Sequence, residues 1–237
     1  MLNTKLNSNA LAQSFKIDNR LQIRNFMQRE IAERMHSACK TKVPFSTHYV
    51  LDGKYQSKTP TEMAHMKPQQ AIDTNNEISA AASRGIGFLY EGYLKSKISS
   101  LAQVNTSDEL NFLHTVFDYL SSETVLQLIR QITGSTDISR AEPQYTRYTS
   151  GHFLTRHLDV VSDQQRRYAF VLGLTKGWHP DWGGLLQFYE KDGTPREAWM
   201  PQFNVLSIFD VSHIHSVTYV TPYAIEPRLS LTGWFVA

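Results

Sequence analysis

Phe153-Leu154-Thr155-Arg156-His157-Leu158-Asp159 is the stretch on which the reading of this chain turns. Alternate residues of a β-strand project from one face, and positions i and i+2 lie about 6.5–7 Å apart along it. As a strand, the segment aims the His157 imidazole and the Asp159 carboxylate at one point. Phe153 and Thr155 are expected on that same face, with Leu154, Arg156 and Leu158 on the other. A third donor must then come from a distant strand. His213 and His215 share a face with one another, and by spacing alone either supplies it.

Further along stands Arg228-Leu229-Ser230-Leu231-Thr232-Gly233-Trp234-Phe235. Leu229, Leu231 and Phe235 mark a strand buried on at least one face, and a buried guanidinium requires an anionic partner. The planar fork of Arg228 meets a carboxylate with two parallel hydrogen bonds. Two His and one carboxylate leave adjacent coordination positions open, the donor set of non-haem Fe(II) oxygenases. Metal donors and a carboxylate clamp together are the apparatus for holding a 2-oxo acid.

The ordered set extends over roughly residues 140–237. It comprises Tyr148, Arg166 to Leu172, Gly183-Gly184-Leu185-Leu186-Gln187-Phe188-Tyr189, Asn204 to Phe209, His215-Ser216-Val217 and Arg228 to Phe235. In this the chain resembles the 2-oxoglutarate/Fe(II) dioxygenase superfamily and, within it, the prolyl-4-hydroxylase-like branch. The resemblance implies Fe(II) held by His157, Asp159 and His215, the Ser-Val that follows His215 matching the family pattern better than His213 does. It implies 2-oxoglutarate and O2 as cosubstrates, with ascorbate as a supporting reductant. Arg228 would anchor the far carboxylate of 2-oxoglutarate, with Tyr148 and Ser230 assisting, and Trp234 would line the pocket near the metal. The implied reaction couples decarboxylation of 2-oxoglutarate to hydroxylation of a C–H bond. Proline in a peptide or protein, or a small amino-acid-like molecule, is the implied substrate. A jelly-roll metal- or ligand-binding module without turnover is the alternative.

Bulk properties agree with an enzyme rather than a nucleic-acid or membrane protein. With 237 residues, 41% of them hydrophobic, the chain can bury a sizeable core as a single domain. A net charge of +2 without a basic block gives no electrostatic footprint for nucleic acid. No apolar segment follows basic residues at the N-terminus, so neither a signal peptide nor a membrane span is expected, and cytoplasm is the default. The one cysteine, Cys39, allows no internal disulfide.

The pattern of elements predicts an α+β protein: a double-stranded β-helix, or jelly roll, with N-terminal buttressing helices. Residues from about 1 to 138 read as mainly helical and those from about 139 to 237 as the jelly-roll oxygenase core. Residues 1–15 read as loosely packed, and helices are expected from Asn25 to Lys40, Thr61 to Gln70, 76–95, 108–120 and 122–133. The last stops at Gly134. Extended chain turns at Asp52-Gly53. Short strands follow Ser139, at Tyr145–Thr149, Phe153–Asp159, Tyr168–Leu174, Leu185–Tyr189, Val205–Phe209, His215–Val220 and Leu229–Val236. The pair His179 and Asp181 imitates a metal motif, but Pro180 between them argues against a ligand-bearing strand.

Overall fold

The computed structural model describes residues 1–51, 53–85, 87–94, 107–160 and 164–237. Its helices are α1 (Ser8–Phe15), α2 (Arg29–Thr41), α3 (Pro60–Ala64), α4 (Pro68–Ser83), α5 (Asp108–Leu120) and α6 (Glu123–Thr133). Its early strands are β1 (Arg20–Arg24), β2 (Ser46–Leu51), β3 (Lys54–Lys58) and β4 (Phe88–Tyr93). Then come β5 (Arg140–Tyr148), β6 (Phe153–His157), β7 (Arg166–Gly173) and β8 (Leu186–Tyr189). The last are β9 (Pro195–Trp199), β10 (Val205–Asp210), β11 (His215–Val217) and β12 (Arg228–Val236). No helix among the described residues is long and apolar enough to cross a membrane.

Local chemistry accounts for the helix ends. Ser107 accepts a hydrogen bond from the Leu110 amide and opens α5, while Gly134, at φ 79°, closes α6 in the left-handed conformation. Thr59 and Glu62 form a reciprocal capping box around Pro60 at the start of α3.

The structure corrects four expectations in the N-terminal part. The helix expected over 76–95 ends at Ser83; Gly85, at φ 90°, turns the chain, and Phe88–Tyr93 becomes strand β4. Pairing of this aromatic run with β2, β5 and β6 outweighs its helical period. Thr61–Gln70 divides into α3 and the start of α4 at Pro68. The helix expected from Asn25 begins at Arg29, because Phe26 and Met27 are hydrogen-bonded to Asn204. Residues 1–15 are built in: α1 buries Phe15, and Leu2 bridges Met27. Strands β1 and β9 lay outside the pattern read from sequence.

All twelve strands join through antiparallel pairing, along the path β1-β10-β7-β12-β5-β4-β6-β11-β8-β9, with β2 on β4 and β3 on β2. Because β4 pairs with both β5 and β6, the sheet curls and its two halves face each other. Period-two alternation then divides each strand of the larger half. On β12, Leu229, Leu231 and Phe235 enter the main core beside Phe15, Met35, Leu113 and Ile129 of the helices. Arg228, Ser230, Thr232 and Trp234 line the pocket between the halves. On β5, Tyr145 enters the core while Gln144, Thr146 and Tyr148 line the pocket. The helices therefore buttress one face and leave the other for chemistry.

Asn204 fastens the N-terminal part to this sheet. Its buried side chain accepts from Met27 N at 2.9 Å and donates to Met27 O at 2.8 Å, from a backbone at φ 57° that asparagine tolerates better than most residues. Asn204→Ala should lower the free energy of unfolding by about 2–4 kcal/mol, the cost of stranding two buried backbone groups. Chemical denaturation at constant slope checks this.

Candidate active site

The site begins with a bulge. On β11, His215 pairs with His157 of β6, but Val217 pairs with Leu154 rather than Thr155, so β6 carries one extra residue. The alternation expected along Phe153–Asp159 shifts accordingly: Leu154 lines the pocket with His157. Phe153, Thr155 and Arg156 line only a separate outer cleft, which Leu154 also borders. Bulges re-aim side chains in this way beside functional sites. Strand β6 ends at His157, and Asp159 follows it with its amide bonded to Val211 O at 3.3 Å.

His157, Asp159 and His215 converge, their ligand atoms all within 4.8 Å of one another. His157 Nε2 lies 3.6 Å from Asp159 Oδ1, and His215 Nε2 lies 3.4 Å from Asp159 Oδ2. Donor atoms about 2 Å from a single ion are separated by similar distances. Each imidazole is oriented from behind: His157 Nδ1–H donates to Thr155 O at 3.0 Å, and His215 Nδ1–H donates to His213 O at 2.9 Å. With Nδ1 committed, each Nε2 keeps its lone pair for a metal.

Burial is the largest influence on the protonation of all three groups. It drives His215 down to about 4. In His157 burial pulls the same way, but the hydrogen bond and charge of Asp159 outweigh it and raise its pKa. For Asp159 burial disfavours the carboxylate, yet the His157 hydrogen bond and both imidazoles hold its pKa below the ordinary value.

The pocket, about 220 Å³ in all, leads away from these donors along facing positions of β5 and β12. Gln144 pairs with Thr232, Thr146 with Ser230 and Tyr148 with Arg228. Thr146 and Ser230 hydroxyls bond at 3.0 Å, and Arg228 donates to Ser230 Oγ at 3.4 Å. Arg228 is 3% exposed, its Nε has no partner, and its guanidinium carbon lies 5.0 Å from the Tyr148 ring centre. No carboxylate among the described residues forms an ion pair with it, and burial pulls its pKa down. An orphaned buried cation at one end of a pocket and three metal donors at the other fit a metal-chelating 2-oxo diacid. The residues therefore suit Fe(II) and 2-oxoglutarate together.

The sequence reading and the structure agree on which residues meet: His157, Asp159, His215, Arg228, Tyr148, Ser230 and Trp234 all line the pocket. His213 does not; its Nε2 bonds Asp18 O at 2.8 Å. His179 and Asp181, both exposed, lie apart on a loop. Tyr90 was missed: it comes from β4, in a stretch read as helix, and stacks on Tyr148 at 5.5 Å with the planes 13° apart. Gln144 and Thr146 were also missed, although their period-two spacing to Tyr148 marks the same face.

Residues 143–236 match the family profile of the 2OG-Fe(II) oxygenase superfamily. That span holds His157, Asp159, His215 and Arg228, so this part of the chain is similar to the superfamily. It is 33% identical over 133 residues to prolyl 3-hydroxylase OGFOD1 of Xenopus laevis, covering 52% of this chain and 24% of that protein. It is 25% identical over 162 residues to prolyl 3-hydroxylase sudestada1 of Drosophila melanogaster, covering 62% of this chain and 28% of that one. The chain thus spans about a quarter of the length of the curated relatives it matches. In fold it is similar to a Pseudomonas putida prolyl-4-hydroxylase, with TM-score 0.60, 18% identity and coverage of 97% of this chain and 98% of that one. A Trichoplax adhaerens prolyl hydroxylase, solved with a hypoxia inducible factor peptide, gives TM-score 0.60, 15% identity and coverage of 97% and 88%.

Two sets of variants test the donor geometry. Asp159→Ala should weaken Mn(II) or Fe(II) binding by about 100-fold or more while the circular dichroism spectrum is preserved; near-normal affinity would exclude the carboxylate as a ligand. His215→Ala should lose metal binding similarly, whereas His213→Ala should keep most of it, because the His213 contact to His215 is made by its backbone carbonyl. The reverse order in a metal titration would reassign the second imidazole.

Proposed function

We propose that this protein is an Fe(II)- and 2-oxoglutarate-dependent dioxygenase that hydroxylates a C–H bond of proline in a peptide or protein. The observation that carries the reading is the buried, unpaired Arg228 at one end of a pocket whose other end holds His157, Asp159 and His215. A binding module without turnover has no need of a charged diacid clamp aligned with open metal positions. The prolyl hydroxylases among the relatives support the choice of proline.

In this mechanism His157, Asp159 and His215 hold the metal, Asp159 supplying charge and the imidazoles neutral donors. Fe(II) held there would supply the oxidising chemistry, the decarboxylation of 2-oxoglutarate by O2 to succinate and CO2 that is coupled to insertion of one oxygen atom into the substrate C–H bond. Arg228 pairs with the far carboxylate of 2-oxoglutarate, which fixes the diacid along the axis of the pocket. Ser230 and Thr146 contribute hydroxyls beside that carboxylate, and Tyr148 covers the guanidinium. The apolar walls, Leu186, Phe209 and Val217 among them, exclude water from the reacting end. Trp234, with the Arg166 guanidinium 3.4 Å above its ring, forms a flat wall suited to a pyrrolidine ring.

The test is succinate formation that depends on Fe(II), O2 and 2-oxoglutarate, with ascorbate as reductant. Proline-containing peptides, free amino acids and cell lysate would be screened in parallel for a mass gain of one oxygen. Oxidation of a proline residue supports the reading. A chain that binds metal and 2-oxoglutarate yet forms no succinate with any of these would overturn it in favour of a non-turnover module. Arg228→Lys retains charge but not the fork, and should raise the Michaelis constant for 2-oxoglutarate about 30- to 150-fold, equivalent to roughly 2–3 kcal/mol. Metal affinity should stay near the wild-type value. An unchanged Michaelis constant would return Arg228 to a structural role.

A further inference from the structure

The back of the Arg228 side chain is enclosed by a loop that the mechanism above does not use. Gly177 and the residues after it wrap round a 3-10 turn, Pro180–Trp182, and close when Trp178 Nε1–H donates to Gly183 O at 2.9 Å. Trp178 is 6% exposed and packs with Tyr148, Val217 and Val220 in one apolar cluster. Gly184 follows at φ 64°, its amide donating to Thr218 O at 3.1 Å. A Cβ added to Gly184 would stand 3.1 Å from Arg228 Cδ, 3.1 Å from Trp178 Cζ2 and 3.3 Å from Val220 Cγ2. Gly184 therefore lies against both the arginine stem and the Trp178 ring, with no room for a side chain between them.

Among the described residues, Ser230 and the Tyr148 ring are the other contacts that bear on how far Arg228 reaches. Beyond it the space shrinks to a hole of about 10 Å³, bounded by Val171, Leu186 and Ser230 on the pocket side. The Arg228 Nε has no hydrogen-bond partner to fix the side chain's extension. Among the described residues its one hydroxyl contact, Ser230 Oγ at 3.4 Å, is long.

We propose that Gly184 and Trp178 together set the length of 2-oxo diacid this pocket accepts, by fixing how far the Arg228 guanidinium withdraws from the metal donors. This rests on the reading of the pocket as a 2-oxo diacid site. Gly184 leaves Arg228 room to lie back, and Trp178 is the stop against which it rests. Both are positioning residues that act through Arg228 and touch neither metal nor cosubstrate. Added bulk at Gly184 drives the guanidinium toward the metal and shortens the pocket. A smaller ring at position 178 lets it retreat and lengthens the pocket.

The test is calorimetric binding to the Mn(II)-loaded protein of 2-oxoglutarate, oxaloacetate (one carbon shorter) and 2-oxoadipate (one carbon longer). Gly184→Ala should shift preference toward oxaloacetate, and Trp178→Phe toward 2-oxoadipate, each on the order of tenfold in the ratio to 2-oxoglutarate, the scale on which one methylene is discriminated. Opposite shifts in the two variants support the proposal. Unchanged ratios, or a parallel loss for all three acids, overturn it. The left-handed backbone at Gly184 strains the alanine variant; should it fail to fold, the direction of the Trp178→Phe shift decides alone. Failure of the wild-type protein to bind any of the three acids would instead overturn the diacid reading on which this one stands.

Discussion

A guanidinium removed from water without a carboxylate beside it is the most demanding feature of this structure. Desolvating a charge costs several kcal/mol even after the surroundings relax, and Arg228 recovers little of that from one long hydroxyl contact and one aromatic face. Such a group is tolerable in a folded protein when the missing partner arrives as a ligand. The pocket supplies the route: it runs from Arg228 past paired hydroxyls to the three metal donors. A buried cation and a set of metal donors share one cavity. A metal-bound diacid satisfies both at once.

The fold holds the guanidinium and the metal donors a fixed distance apart. Curling at β4 sets Arg228, on the larger half of the sheet, opposite His157 and His215 on the smaller half. Alternation along β12 sends Leu229, Leu231 and Phe235 into the helix-backed core, so the residues between them have no choice but the pocket. Rigid support from behind is what lets the front face carry unsatisfied polar groups. On the smaller half the bulge in β6 performs the same service for His157, and backbone carbonyls lock both imidazoles in the tautomer that ligation requires.

Where a functional side chain sits on a strand with strict alternation, the sequence announces it. Arg228 among Leu229 and Leu231 was legible for this reason, as were α5 and α6 through their apolar stripes and the Gly134 stop; His157 and Asp159 were legible as a spaced pair, although β6 is bulged and ends at His157. The second imidazole needed more than alternation, because His213 and His215 are equivalent under a period of two; the Ser-Val after His215 favoured it by resemblance, and in the structure His213 turns away to Asp18. The bulge was invisible, since inserting one residue into a strand leaves no mark in composition, and it moved Leu154 onto the metal side. Tyr90 was hidden by its neighbourhood: Phe88–Tyr93 follows a helix, and its long-range pairing with β2, β5 and β6 overrode the local pattern. Gly184 could be read as a turn residue but not as the neighbour of Arg228, which is a fact of packing.

The measurement that bears most directly on the shared-cavity account is anaerobic titration of 2-oxoglutarate into the Fe(II)-loaded protein, followed by visible absorption. If the donors and Arg228 hold the two ends of one molecule, a saturable charge-transfer band from metal to the 2-oxo group should appear. It should be absent without iron, and an Arg228→Ala variant should require far more 2-oxoglutarate to reach the same amplitude. A band that saturates equally well without the guanidinium, or no band in a protein that demonstrably holds iron, would contradict the claim that one diacid joins the two ends of the pocket.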